Sequence, residues 1–305
     1  MPTIKHLNTP NSKTLKTLSA VGLIALSSAC LNVVADEQCK DFPISKFDAL
    51  KVFGDTHVKL QLSTQESTQE STQNSVHVCT DSDFIDKVIV KNSGDTLHIG
   101  PKKHTRGIFI WSTNDNHEIR AELTTSSLDA IDISGNSTID LPNLTQENMR
   151  HDHFNIHLSG SSKLTAQSIN SDNLQLDLSG SSKAKFKTLT NQSTELKLSG
   201  SSRVDLENLN SNTLHGRLSG SSDIELHRQG QGKDLQLHLS GASNFDMPEY
   251  RIQSASIEAS GASRAELNVG KYLDARASGG SRIQYRGKPD TKIHRSGGAS
   301  ISQQN

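Results

Sequence analysis

The chain is short of the residues from which a thick globular core is built. Its 305 residues include one tryptophan, three tyrosines and eight phenylalanines, so aromatics reach 4% and hydrophobic residues only 32%. An excess of either charge is also missing, since 32 lysines and arginines stand against 33 acids, a net of -1. That balance argues against a nucleic-acid partner and against disorder driven by self-repulsion. Past residue 40 no run of eighteen apolar residues occurs, so no transmembrane span is expected in the mature chain. The three cysteines are too few and too far apart for a CxxC redox pair or a zinc site. Also absent are a Gly-x-Ser-x-Gly nucleophile elbow, calcium-binding Gly-Gly-x-Gly-x-Asp repeats and regular Thr-x-Thr rows. No catalytic residue, cofactor or metal is expected.

What the chain does have begins with a targeting segment. Lys5, Lys13 and Lys16 precede the apolar run 18–26, and no acid appears before Asp36. A charged stretch followed by an apolar one is the pattern of a secretory signal peptide. Two cleavage readings are open. Val33-Val34-Ala35 offers small or β-branched residues to a signal peptidase, which removes 1–35 by cutting between Ala35 and Asp36. Alternatively Ser27-Ser28-Ala29-Cys30 is a lipobox and Cys30 carries a lipid anchor. The aliphatic residue expected three before that cysteine is missing, with Leu26 four before it, and this favours cleavage after Ala35. Either way Cys39 and Cys79 remain as an even pair in a disulfide-permissive compartment, bonded to each other or left as two buried thiols.

The rest of the chain is governed by a repeat. Ser-Gly recurs with its serine at 134, 159, 179, 199, 219, 240, 260, 278 and 296, at intervals of 25, 20, 20, 20, 21, 20, 18 and 18 residues. One residue before the serine stand Leu158, Leu178, Leu198, Leu218 and Leu239, and three before stand Ile156, Leu176, Leu196, Leu237 and Ile257. Between them come His157, Asp177, Lys197, Arg217, His238, Glu258, Arg276 and His294. Apolar and charged residues thus alternate with the period of a strand. Beyond the corner the alternation resumes, with Leu164, Ala184, Val204, Ile224 and Phe245 inward five residues on. Each coil therefore reads as a strand, a corner, a second strand and a looser polar return such as 208–212. The corners are Ser159-Gly160, Ser179-Gly180, Ser199-Gly200, Ser219-Gly220, Ser240-Gly241 and Ser260-Gly261, where glycine takes a positive φ freely. Flanking serines bond local backbone or the equivalent serine one coil away. The expected fold is all-β, a solenoid with coils of about 20 residues whose thin cores need neighbours to stack on.

Three segments follow: a signal peptide over 1–35, a cap or first irregular coils over 36–125, and the Ser-Gly repeat solenoid over 126–305. In the second, 47–62, 75–78, 84–91, 95–99 and 118–123 alternate as strands without Ser-Gly corners, and the polar tract 63–74 reads as a loop.

This layout resembles the head GIN domain family of putative auto-transporter adhesins. The likeness runs from Phe47-Asp48-Ala49-Leu50-Lys51-Val52 through Ser93-Gly94-Asp95-Thr96-Leu97-His98-Ile99 to Ser281-Arg282-Ile283-Gln284-Tyr285-Arg286-Gly287-Lys288-Pro289, together with the repeated Leu-Ser-Gly-Ser-Ser. It implies a right-handed β-helix-like solenoid in an exported protein, with adhesion suggested by the family's name, and it supplies no catalytic residues.

Four other features compete for attention. His151, Asp152, His153 and His157 form the densest metal-like cluster, but they fall in the stretched interval and read as a solvated loop. Lys163, Lys183, Arg203, Arg264 and Arg282 form a basic ladder that could track an anionic glycan or lipid headgroups, but it is interrupted by Asp223 and Asn244 and shadowed by Asp205, Glu225, Asp246 and Glu266, which favours charge pairing. Phe109-Ile110-Trp111 is either an exposed contact patch or, the favoured reading, a plug for an open solenoid end. The serines themselves recur along a ladder, whereas a nucleophile is needed once.

The function expected is a non-catalytic exported scaffold in the periplasm, at the outer-membrane surface or outside the cell. Its partner is a cell-surface glycan or another envelope component. The rivals are a structural periplasmic protein without a ligand and a β-helix enzyme acting on polysaccharide. The enzyme needs clustered carboxylates in one groove, present once.

Overall fold

Alternation along each strand is what winds this chain. A computed structural model describes residues 36–63, 75–102 and 117–304. The segment 1–35 with both cleavage readings, residues 64–74 of the polar tract and Phe109-Ile110-Trp111 lie outside the described residues. Among the described residues twenty strands form one sheet coiled into a β-solenoid of about eight turns with coils of about 20 residues. The first seven are β1 (Glu37–Pro43), β2 (Ala49–Val52), β3 (Thr56–Leu62), β4 (Ser75–Asp81), β5 (Val88–Ser93), β6 (Thr96–Pro101) and β7 (Ile119–Thr125). Then come β8 (Ala130–Ile133), β9 (Thr138–Leu144), β10 (His153–Leu158), β11 (Lys163–Leu178), β12 (Lys183–Leu198) and β13 (Arg203–Leu218). The last are β14 (Asp223–Gln231), β15 (Asp234–Leu239), β16 (Asn244–Ala259), β17 (Arg264–Ala277), β18 (Arg282–Arg286), β19 (Asp290–Arg295) and β20 (Ser300–Gln303).

The expected looser return is missing from the central coils, including 208–212, and is found where the strand breaks between β9 and β10, β14 and β15, and β18 and β19. In β11, β12 and β13 one strand of 16 residues runs from corner to corner, in parallel register with the coils on either side. The ladder skips only Gln167 and Asp172 of β11, where the chain bends. Polar side chains did not loosen this stretch because the ladder is made by backbone, and Ile169, Leu189 and Leu209 still point inward with 0% exposure. A coil thus has three walls: a second wall just after the corner (163–166 in β11), a third (168–171), and a first wall leading to the next corner (173–178).

At each corner the amide after the glycine donates to the glycine carbonyl one coil below. The distances are 2.7 Å for Ser181 to Gly160, Ser201 to Gly180, Ser221 to Gly200 and Ala242 to Gly220. The last serine of each Ser-Gly-Ser-Ser run is buried and donates back to the carbonyl of the first. Ser162, Ser202 and Ser222 reach Ser159, Ser199 and Ser219 at 2.8, 2.9 and 2.6 Å. These hydroxyls bond local backbone, not the serine of the next coil.

The N-terminal part departs from the sequence reading in two ways. Residues 47–62 are not one strand, because Gly54 (φ 87°) is a corner between β2 and β3, and Asn136 donates to its carbonyl at 2.7 Å as in the repeat. Residues 84–91 open as a short helical turn over Ile85–Lys87 before β5. Ile85 and Val88, three apart, are both buried there, a spacing that a turn satisfies and a strand does not. The stacking order also leaves chain order: β2–β3 lies between β6–β7 on one side and β8–β9 on the other. Beyond β6 and β7 the ladder turns antiparallel, with β5 on β6, β4 on β7 and β1 on β4. These strands cover the end that the parallel stack leaves bare.

Among the described residues the other end has no such cover. Inward positions there shrink to Ala259, Ala265, Ala275 and Ala277, and β19 is exposed except for half-buried Ile293. Less apolar area per coil and a single ladder neighbour both lower local stability. Hydrogen exchange is expected to show strongest protection over β11 to β15 and a decline through β17 to β19. Uniform protection up to Ile301 would show that this edge is held by something else.

Tyr250 interrupts the regular core. Its ring fills the space left by Gly230 and Gly232, and its hydroxyl donates to the Ser211 carbonyl at 2.9 Å, below the neighbouring coil. Burial pushes its phenol above the ordinary tyrosine range. A folded-state pKa raised above the unfolded one contributes stability that is complete below about pH 10 and lost as pH rises beyond it. Tyr250→Phe should cost about 1 kcal/mol at neutral pH through the lost hydrogen bond. It should also flatten the alkaline loss by up to about 1.4 kcal/mol per pH unit. Urea midpoints at pH 7, 10 and 11 for both proteins test this, and parallel alkaline slopes would rule it out.

Candidate functional site

The first wall carries the candidate site. Two residues before each corner its strands present an outward side chain, and parallel register sets these on rungs about 4.8 Å apart. From β10 onward the column reads His157, Asp177, Lys197, Arg217, His238, Glu258, Arg276 and His294. The registers of β8, β2 and β6 extend it through Asp132, Lys51 and His98. Every rung of the column is ionisable. Backbone pairing alone asks only for a polar residue at these positions.

Beside the column runs the backbone of Leu178, Leu198, Leu218, Leu239, Ala259 and Ala277, whose side chains are buried in the core, and beyond it the corner serines. Together they line an open groove of about 1030 Å³ that runs from His157 to Ser296. A second hollow of about 440 Å³ shares His157 and Asp177 with it and continues to His98. The corner serines hold their place by donating to the carbonyl one coil below, at 3.4 Å from Ser219 to Leu198 and 3.2 Å from Ser260 to Leu239.

Charge along the groove is only partly matched. Lys197 and Arg217 are neighbours on the ladder and share one carboxylate, Glu195, at 2.9 and 3.5 Å. Glu258 likewise serves His238 at 3.2 Å and Arg276 at 3.0 Å, and Asp274 serves Arg276 at 3.1 Å and Lys292 at 3.8 Å. Among the residues lining the larger groove, four cations (Lys197, Arg217, Arg276, Arg295) face two carboxylates (Asp177, Glu258). Like charges opposite each other on adjacent strands are destabilising, and between Lys197 and Arg217 one shared carboxylate, Glu195, offsets only part of two positive charges.

The other sequence candidates are placed as follows. Cys39 and Cys79 are bonded to each other across β1 and β4. The histidine cluster loses only His157, which belongs to the groove column: the His151 and His153 rings lie 5.3 Å apart, with His151 held by Asp129 at 2.7 Å and His153 3.4 Å from Asp152. The basic ladder of the second wall is paired only in its middle, with Lys183 3.3 Å from Asp205, and Arg203 3.0 Å from Asp223 and 3.5 Å from Glu225, while Lys163, Arg264 and Arg282 have no ion pair among the described residues.

Three groups among the described residues bring possible metal ligands together: Cys39–His77–Cys79, Asp81–Asp83–His117 and Asp205–Glu225–His227. The first spends its sulfurs on the disulfide, and the third already faces Lys183 and Arg203. In the second, His117 is hydrogen-bonded to Asp81 at 2.6 Å and stacked on Phe84.

Sequence reasoning missed the first rungs of the column, and for Lys51 the signal was Gly54, which once recognised as a corner puts Lys51 at the same offset. It also passed over Tyr272, at 44% the one exposed large hydrophobic side chain among the described residues.

A family model described as putative auto-transporter adhesin, head GIN domain, matches residues 46–194 and again 178–289. No curated protein sequence matches the chain. Among solved structures, a putative adhesin from Parabacteroides distasonis is 17% identical with a TM-score of 0.62, covering 88% of this chain and 98% of its own. A putative adhesin from Parabacteroides merdae is 15% identical with a TM-score of 0.59, covering 89% and 98%. A putative lipid binding protein from Parabacteroides distasonis is 17% identical with a TM-score of 0.57, covering 89% and 98%. At these identities the likeness is one of fold.

Proposed function

Because the chain belongs to the head GIN domain family of putative auto-transporter adhesins, we propose that it is an exported, non-catalytic binding scaffold of the cell envelope or surface. Its ligand-binding surface is the first-wall groove. The signal peptide 1–35 is removed between Ala35 and Asp36. The ligand is an extended envelope or cell-surface polymer, a glycan first, lying along the rungs. The observation that carries this reading is the unbroken column of ionisable side chains from His98 to His294, including two adjacent cations that the fold does not need. Two further features favour binding over catalysis. The groove's groups recur rung after rung, and Glu195 and Glu258 are each already engaged by two cationic or imidazole partners.

The test uses the full-length chain with a C-terminal tag. Cell fractionation and intact mass are expected to find it outside the cytoplasm, beginning at Asp36. Retention at the full-length mass in the cytoplasm would end the export reading. Polysaccharide extracted from the same envelope should bind the purified protein. Lys197→Ala/Arg217→Ala should weaken that binding by about tenfold, the order expected for losing charge-assisted contacts. Equal binding by both proteins, or by neither, would remove the groove from consideration.

A further inference from the structure

The first wall holds one residue that neither the fold nor the charge column accounts for. Tyr272 lies six residues before a corner, in a column whose other rungs are His153, Asn173, Ser193, Thr213, Asp234, Ser254 and Asp290. Apart from His153, at the far end of the column, all of those are small and polar. Phe154, Phe186, Phe245 and Tyr250 are fully buried, whereas Tyr272 stands 44% exposed between Ser254 and Asp290, which are too short to cover a ring. An aromatic placed where the coil needs none is exposed apolar surface with a face to offer.

Around it the chemistry is specific. Asp274, two residues on and so on the same side of β17, has its Oδ2 held by Arg276 at 3.1 Å and approached by Lys292 at 3.8 Å. Its Oδ1 has no hydrogen-bond partner. Such an oxygen has lost water without gaining a donor, which is unfavourable until one arrives. Lys292, more than half exposed, is the long neighbour on the Oδ2 side of this carboxylate. Ser256 is the rung beside Asp274. The set is therefore an exposed aromatic face, a fixed carboxylate short of a donor, a guanidinium and a hydroxyl.

We propose that this part of the first wall holds one pyranose unit of a glycan, stacked on Tyr272, with a sugar hydroxyl donating to Asp274. A pyranose has a rim of hydroxyls and a face of C–H bonds. The partly positive C–H hydrogens are drawn to the negative face of an aromatic ring, while the hydroxyls supply donors for Asp274 and acceptors for Arg276 and Ser256. The ligand's next units then run from this site along the groove column. This inference rests on the groove reading and gives it an anchoring point and a ligand class, a neutral saccharide ring.

The experiment uses the exported, purified protein and four defined probes: cellohexaose, chitohexaose, maltohexaose and mannohexaose, each titrated by calorimetry and saturation-transfer NMR. At least one is expected to bind saturably. Tyr272→Ala should weaken that probe about tenfold, and Tyr272→Phe, which keeps the ring, by no more than about twofold. Asp274→Asn should weaken it while leaving the melting temperature near that of the parent. Lys163→Ala, on the second wall, should change nothing. Binding of none of the probes by the parent protein overturns the proposal. So does binding that Tyr272→Ala leaves intact. If that intact binding is lost in Lys197→Ala/Arg217→Ala, the groove reading stands and only this site falls. If neither variant weakens it, both fall.

Discussion

Gly200→Val is expected to destabilise the protein by about 3 kcal/mol or more, several times the effect of any outward substitution in the same coil. Gly200 sits at φ +74°, where a side chain is strained, and a Cβ there meets the carbonyl oxygen of Gly180 at 2.5 Å. That oxygen is also the acceptor for the Ser201 amide at 2.7 Å, so relieving the clash breaks an inter-coil hydrogen bond. Strain, overlap and a lost bond add in one place, and the two neighbouring coils share the damage because every corner rests on the next. Lys197→Ala and Arg217→Ala remove exposed or half-exposed charges and should stay within about 0.5 kcal/mol. Gly94 supplies the control that separates strain from stacking. It has φ +59° in the β5–β6 hairpin, but a Cβ there meets nothing within 4 Å. Gly94→Ala should therefore cost about 1 kcal/mol, the conformational part alone. Thermal melts of the four variants decide the matter. If Gly200→Val melts like Lys197→Ala, or no lower than Gly94→Ala, the corner column is not what stacks the coils.

This arrangement explains which parts of the molecule the sequence exposes and which it hides. The Ser-Gly corners are legible because a solenoid repeats one local solution at nearly constant spacing, so Gly160, Gly180 and Gly200 announce one another. Gly54 does the same job behind Phe53 instead of a serine, and without the neighbouring Ser its role is invisible to a motif while plain to a backbone hydrogen bond. The order of the first coils is hidden for a different reason. Alternation says that β2, β6 and β8 each have an inward face, but which strand pairs with which depends on long-range register, and β2 lies between the other two. The outward column from His157 to His294 can be read off the sequence as a row of charged residues. Its partial neutralisation by Glu195, Glu258 and Asp274 requires neighbouring positions and neighbouring coils to be seen together. Tyr272 was passed over because nothing local distinguishes a tyrosine facing outward from one that fills the core, as Tyr250 does.

Removing the Cys39–Cys79 bond is expected to loosen one end of the solenoid and leave the other untouched. The bond closes a loop of 40 residues, which in the chain-entropy picture corresponds to about 4 kcal/mol. Where that loss appears depends on what each strand buries. β4 carries Val76 and Val78 at 0% exposure and pairs with β7, so it belongs to the core. β1 is exposed along its length apart from half-buried Phe42, and besides its ladder to β4 it has, among the described residues, only exposed ion pairs, Glu37 with Arg120 and Lys40 with Asp86 at 3.6 Å. A strand with so little apolar burial offsets little of the entropy of ordering seven residues. The disulfide is what holds it in place. In Cys39→Ser/Cys79→Ser, exchange of the β1 amides should accelerate by up to about a thousandfold, the equivalent of about 4 kcal/mol. Their partners on β4 should follow in part. Because coils are stabilised by their nearest neighbours, protection over β11 to β15 should stay as it was, and the melt should broaden at its low-temperature side before the main transition moves. A variant whose β1 amides remain as protected as in the parent would show that the ladder to β4 suffices by itself. A uniform loss of protection through β15 would show instead that the cap and the coils unfold as one unit.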